Sequence, residues 1–213
     1  MTRKLLIAIP SYDTMRAEFV QSLMALTARL HRDRIEHEVK IITGTLVYIA
    51  RDHLARHAVN QGYTEVLWLD SDMVFSENIL EDLSDAGGDI VCGLFISRHN
   101  PYLNVLFSCL DPAERITDIP DDRFEISGCG FGCVWMKVEV LQTVMERNGG
   151  KCFLPETRLG EDLAFCRRAG AAGYRIYCEP TARVGHTGAV TIWPEDGERL
   201  RGEIMNMEGK KLK

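Results

Sequence analysis

No stretch of this chain approaches the roughly 18 consecutive apolar residues that a membrane span requires. The apolar run nearest the N-terminus covers only residues 5–9, follows Arg3 and Lys4, and is stopped by Pro10. That is too short for the core of a secretory signal. There is also no Ser/Gly-rich linker, no internal repeat and no low-complexity tract, so nothing in the composition marks a domain boundary. An excess of positive charge is missing as well: 25 Lys and Arg face 31 Asp and Glu, a formal net charge of −6. This argues against a non-specific grip on nucleic acid, which needs a basic surface. It does not exclude a phosphate-bearing small molecule whose charge is met by a metal. Paired cysteine motifs are scarce too. Seven cysteines are present, an odd number, and Cys129 and Cys133 form a single C-x₃-C with no second pair to complete a zinc site. They read as buried free thiols of a reducing compartment. These absences together predict a cytoplasmic protein without a membrane span.

What is present is the composition of an ordinary globular chain: 213 residues, 46% apolar and 26% charged, enough for one large domain with a sizeable core. Strand-like runs at 5–9, 38–43, 66–74 and 89–95 alternate with helical patterns at 16–31, 47–60 and 76–86. In the helix at 76–86, Ser76 is the expected cap and Gly87-Gly88 the stop. Strands alternating with helices predict an α/β fold with a doubly wound, mostly parallel sheet. After residue 95 the rhythm changes to a mixed second half. Strands are expected at 102–109, 123–127, 131–136 and 174–178, helices at 138–147 and 161–169, and a loop at 109–122.

The chemistry concentrates at four places. The strand at 66–74 carries Asp70 and Asp72 at its C-terminal end, where open α/β sheets bind ligands. Alternation along that strand puts both carboxylates on one side, with Ser71 opposite. Two such anions need a cation between them, and a hard divalent ion that also takes substrate phosphates meets the demand. Gly160-Glu161-Asp162 opens a helix with two acids at its positive end, the plainer alternative being acids that only satisfy the helix dipole. Val184-Gly185-His186-Thr187-Gly188 sets a lone histidine just past a strand, either as a ligand or as a buried hydrogen-bonded ring. Gly128-Cys129-Gly130-Phe131-Gly132 allows a close backbone approach or marks a bulged strand. His53 and His57 have metal-ligand spacing on one helix, but with Arg51 and Arg56 beside them they read as a solvated face.

In this order, from Ile7-Ala8-Ile9-Pro10 to His186, these residues resemble the GT-A glycosyltransferases, which use nucleotide-sugar donors; the stretch from Glu161 through Ile176 is similar to bacterial family 2-like members. The resemblance implies a GT-A-type single catalytic domain over 1–192. Residues 1–95 would be its nucleotide-binding half and 96–192 its acceptor-binding and metal-completing half, with a polar tail at 193–213. It implies that Asp72, His186 and Asp70 face Mn²⁺ or Mg²⁺, the imidazole tilting the choice toward Mn²⁺. Asp70 also orients the donor. Pro10 and Tyr12 in the loop after the first strand would hold the nucleotide base. Arg51 would lie near the base or diphosphate, and Arg98 would reach donor or acceptor.

The attacking hydroxyl must lose a proton, and Asp162 is the candidate base with Glu161 in reserve. Base action by Asp162 inverts the anomeric centre, although retaining members of the superfamily use the matching acid differently. A UDP- or GDP-sugar is the expected donor and a small or soluble acceptor is favoured. A donor-ordered lid is expected within 96–122 or the tail from Trp193. The alternative from another class is a catalytically silent nucleotide-binding or scaffold protein on the same fold. A haloacid-dehalogenase-type phosphohydrolase would place its Asp-x-Asp on the first strand, and a sugar nucleotidyltransferase would carry a glycine-rich loop where Pro10-Ser11-Tyr12 stands.

Overall fold

The interior of the first strand, Leu5 to Ile9, is wholly buried, which requires cover on both faces of the sheet that contains it. Alternation divides that cover. Leu5, Ile7 and Ile9 enter one hydrophobic cluster, and Leu6 and Ala8 enter the other. A computed structural model describes residues 3–98, 101–188 and 191–197. Its elements in order are β1 (Lys4–Pro10), α1 (Ala17–Arg32), β2 (Glu36–Ile42), α2 (Val47–Asn60), β3 (Glu65–Leu69), β4 (Met73–Val74), α3 (Ile79–Ser84) and β5 (Ile90–Leu94). There follow β6 (Leu106–Leu110), β7 (Ala113–Arg115), β8 (Phe124–Ile126), β9 (Gly128–Cys129), β10 (Cys133–Lys137), α4 (Val138–Arg147), α5 (Glu161–Ala171), β11 (Ile176–Arg183), β12 (Gly185–Thr187) and β13 (Thr191–Ile192).

The central sheet has the order β2-β1-β3-β10-β5-β11-β8. Five of its strands run one way, while β10 and β8 run against their neighbours. Helices α1 and α3 cover one face through Phe19, Leu26, Leu30, Ile79, Leu80 and Leu83. Helices α2, α4 and α5 cover the other with Leu54, Leu141, Val144 and Phe165. On that second face Phe153 stacks on Phe165 at 4.7 Å between centroids, with Trp68 and Phe131 packed edge-on around them. Such pairs each contribute about 0.5–1.5 kcal/mol beyond the area they bury. The expected class, a doubly wound, mostly parallel α/β sheet with a mixed second half, is the one found.

Several local expectations are corrected. The strand expected over 66–74 stops at Leu69. Asp70 donates its N–H to the Gly132 carbonyl at 3.0 Å, Met73 donates to the Asp70 carbonyl at 3.2 Å, and the chain turns there. Met73–Val74 then joins a separate small sheet through β12. Asp70 and Asp72 are therefore turn residues and not two positions on one strand face. The helix expected from Ser76 is shorter and starts at Ile79, because Ser76 closes a turn by accepting the Asn78 N–H on its Oγ. The expected loop at 109–122 includes β7, which folds back on β6 as a hairpin. Helix α5 runs through Gly170, and the reversal falls instead at Gly173, whose φ of +95° suits glycine. Strand β11 continues past Cys178 to Arg183, taking Pro180 at a register irregularity. Helices 47–60 and 138–147 lie where the periodicity predicts them. The tail expected from residue 193 falls outside the described residues from 198 onward.

Gly132 holds the turn in place by being small. A Cβ there would stand 2.2 Å from Met73 Cε and 2.8 Å from Phe95 Cζ. Gly132→Ala is expected to destabilise the fold by about 1–3 kcal/mol through overpacking. Urea melts of the two proteins check it, and equal midpoints would contradict the packing described.

Candidate functional site

The site forms where β1, β3 and β5 end at their carboxyl edge, met by the start of α5 and by β12. Arg51 stands on the buried face of α2 and is 2% exposed. Its Nη2 donates to Asp70 Oδ1 and its Nη1 to Glu161 Oε1, both at 2.8 Å. The guanidinium lies 5.3 Å from the Phe131 ring centroid. Burial would lower the Arg51 pKa, but Asp70, Glu161 and Asp162 outweigh it and hold the group above its ordinary value. Burial pushes Asp70 up, with Arg51 pulling the other way and Asp72 and Asp162 adding to the rise.

The second cluster hangs on Asp72. Its backbone carbonyl accepts from the N–H and the Oγ1 of Thr187, each at 2.8 Å, which ties the turn to β12. Its Oδ2 faces both the Arg98 guanidinium and the Nε2 of His186, the latter at 3.4 Å. Burial would raise the Asp72 pKa, and the His186 and Arg98 contacts overcome it to hold the carboxyl below its usual value. His186 Nδ1 lies 2.9 Å from the Ile96 carbonyl. Donation there turns Nε2 toward the Asp72 carboxylate, where it either carries a proton to the carboxylate or, deprotonated, leaves a lone pair for a shared cation. The donor set is a carboxylate and an imidazole whose far nitrogen is anchored to a carbonyl, and it suits a divalent ion that keeps waters and substrate oxygens as further ligands.

The sequence-predicted residues thus divide. Asp72 and His186 come together, Asp70 turns to Arg51, and among the described residues no group of three or more His, Cys, Asp or Glu converges as a metal cage. Arg51, expected near a nucleotide, is enclosed between two acids. Arg98 rests on Asp72 and on the Thr187 carbonyl. Asp162 accepts the Leu163 N–H at 2.9 Å on Oδ1, and a Cβ at Gly160 would come within 3.1 Å of that oxygen. Pro10 is buried as the last residue of β1. Tyr12 is 72% exposed, and its carbonyl takes the Gly44 N–H. Between them, Ser11 donates to Thr14 and lies 3.3 Å from Ser71 Oγ, joining this loop to the acid turn. The glycines at 128, 130 and 132 approach side chains of the core, Leu110, Leu163, Val105, Phe95 and Met73. Cys129 and Cys133 lie in different sheets, and all seven cysteines are free. His57 pairs with Glu38, and His53 is exposed.

Two residues escaped sequence reasoning. Asp52 is 6% exposed, and its Oδ1 accepts the N–H groups of Cys152 at 2.8 Å and Phe153 at 2.9 Å. It thereby pins the segment that leads into Glu161. The adjacent charged pair Arg51-Asp52, set between buried Ala50 and Leu54, was the available signal. Thr187 was visible only as a neighbour of His186.

No protein-family model matches the chain, and no curated protein matches it by sequence. Among solved structures, A197 from STIV is similar with a TM-score of 0.64 and 22% identity, over 91% of this chain and 91% of that one. A Drosophila β-1,4-galactosyltransferase 7 mutant, solved with manganese, UDP-Gal and xylobiose, matches with a TM-score of 0.49 and 15% identity, over 84% of this chain and 65% of that one. At 22% identity the likeness to A197 bears on the fold alone.

Removing one partner of a buried ion pair is far costlier than never having had it. Arg51→Met is expected to lose about 1–3 kcal/mol at neutral pH, because the acids left behind, Asp70 and Glu161, are only partly buried. The Asp70 carboxyl, already raised by burial, then rises further, so the unpaired anion is a burden above its folded-state pKa and is relieved as pH falls below it. Denaturant midpoints at pH 7 and pH 5 should show the deficit shrinking at the lower pH. A constant deficit would mean that Asp70 does not depend on Arg51.

Proposed function

We propose that this chain is a glycosyltransferase that moves a sugar from a nucleotide-sugar donor to an acceptor hydroxyl with the help of Mn²⁺ or Mg²⁺. The observation that carries this reading is the gathering of acids from distant segments at one sheet edge: Asp70 with Glu161 through Arg51, and Asp72 with His186 beside Arg98. Asp72 and His186 would hold the ion, with Asp70 near it. When bound, such an ion supplies Lewis-acid stabilisation to the departing diphosphate. Asp70, fixed by Arg51, orients the donor's ribose or sugar. The exposed Tyr12 ring beside Pro10 offers a face for the base.

Asp162 is the base. Glu161 gives an oxygen to Arg51, so it positions the start of α5, while Asp162 is free of that pair and accepts the proton of the attacking hydroxyl. Attack with Asp162 on the acceptor side inverts the anomeric centre. In this reading residues 1–95 serve the nucleotide and residues 96–192 the acceptor. A UDP- or GDP-sugar and a small or soluble acceptor fit a chain in which no described helix is long and apolar enough to cross a membrane.

A second reading, a silent nucleotide-binding or scaffold protein, is favoured by one observation: both Asp70 and Asp72 already have arginine partners. The two readings separate experimentally. Melting temperatures are measured with UDP, GDP, CMP and dTDP, each with and without Mn²⁺, for wild type and Asp72→Asn. A ligand at 100 times its Kd adds about 2.7 kcal/mol. One nucleotide should stabilise the wild type only with metal, and Asp72→Asn should abolish that shift. No shift with any nucleotide overturns the reading. With the donor class so identified, Asp162→Asn should keep the shift while transfer falls by about 10²–10⁴-fold. A wild type that binds but never transfers is the scaffold.

A further inference from the structure

Asp72, the carboxylate that the metal reading needs, already has a cation. Arg98 donates through Nη1 to Asp72 Oδ2 and, at 3.3 Å, to the Thr187 carbonyl. Thr187 in turn holds the Asp72 backbone, so arginine, carboxylate and threonine form one closed unit. The Arg98 side chain is 36% exposed against 20% for Asp72, so a path into solvent is open to it. Asp72 Oδ2 is also the oxygen that faces His186 Nε2. A divalent ion placed between Asp72 and His186 would therefore meet the guanidinium on its own ligand atom, at a distance where like charges repel strongly in a partly buried site.

We infer that Arg98 guards the metal position: it excludes a bare divalent ion, and it yields only when the ion arrives with a diphosphate that gives the guanidinium a new anionic partner. This rests on the metal–nucleotide reading above and adds an order of binding to it. The charges explain the selectivity. A free ion must drive a fixed cation off its carboxylate with nothing in return. An ion that carries a diphosphate brings oxygens in the forked geometry a guanidinium binds best. Arg98 then moves from carboxylate to phosphate, and no covalent bond changes. His186 and Thr187 are tied to the Ile96 and Asp72 backbone carbonyls, so the moving part is Arg98.

The test is binding and not turnover. Mn²⁺ affinity is measured from the electron paramagnetic resonance of the free ion, alone and as the preformed complex with inorganic pyrophosphate. The proteins are wild type, Arg98→Ala, Arg98→Gln, Arg98→Lys and Asp72→Asn, each checked for an unchanged melt. Arg98→Ala and Arg98→Gln should bind Mn²⁺ alone at least about tenfold more tightly than wild type, because the competing charge is gone. Arg98→Lys, which keeps the charge, should stay weak. For the pyrophosphate complex the order should reverse, with wild type tighter than the neutral variants by at least about tenfold. Unchanged Mn²⁺ affinity in the neutral variants, with binding still lost in Asp72→Asn, overturns the guard while leaving the metal site standing. Weaker Mn²⁺ binding in those variants, or tighter binding of both forms, also overturns it. Absence of Mn²⁺ binding in wild type and neutral variants alike overturns the guard together with the metal reading.

Discussion

The site depends on a guanidinium placed where water cannot reach it. Arg51, 2% exposed, must be paired, and it draws its partners from the end of β3 and the start of α5. Replacing such a set by apolar side chains often leaves a protein as stable or more so, and its value lies in geometry. Two bonds of 2.8 Å from a rigid planar fork fix the separation of Asp70 and Glu161 more narrowly than apolar packing would. Phe131 lies under the fork and belongs to the aromatic cluster of Trp68, Phe153 and Phe165. Core packing and site charge are thus continuous. Asp52 extends this control by gripping the backbone at 152–153 ahead of α5.

The second constraint is the small sheet of β4, β12 and β13. It takes the chain after the acid turn and binds it to the strand that carries His186, pairing Met73 with His186 and Val74 with Gly185. The two halves of the Asp72–His186 pair are 114 residues apart in sequence (186 − 72), yet His186 pairs in this sheet with Met73, the residue next to Asp72. Ile96, two residues past the end of β5, holds the ring through its carbonyl. The Asp72 cluster is thereby held through backbone hydrogen bonds, while the Arg51 cluster is held through a side chain.

The α/β class and the helices at 47–60 and 138–147 were legible in the sequence, because periodicity and turn residues report whether an apolar stretch is a helix or a strand. That Asp72 and His186 stand together, 3.4 Å apart, was implied by the family resemblance and not by spacing. Less visible was where a buried strand ends. Residues 66–69 and 73–75 are both apolar, so hydropathy reads through the turn at Asp70, whereas the actual stop is set by pairing with Gly132 and Cys133. The partner of Arg51 was equally hidden, because an arginine beside a nucleotide and an arginine between two acids look alike in one dimension. The close approach of the glycine run proved to be to core side chains, a choice that depends on which neighbours tertiary packing supplies.

One feature of the central sheet bears on how the molecule comes into being. Strands β3 and β5 do not pair with each other; β10 lies between them and runs antiparallel to both. During synthesis the chain has made β1, β2, β3 and β5 long before Cys133–Lys137 exists, so β3 keeps one open edge and β5 stands detached from β3. Closing that gap couples residues more than sixty positions apart in the case of Leu69 and Cys133 (133 − 69 = 64). Long-range pairings of this kind slow folding and leave hydrophobic edges exposed to neighbouring chains meanwhile. The acid turn that follows β3 cannot settle before the same event, since its first anchor is the Gly132 carbonyl at the mouth of β10. The insertion of β10 between β3 and β5 is therefore also the step on which the acid turn depends.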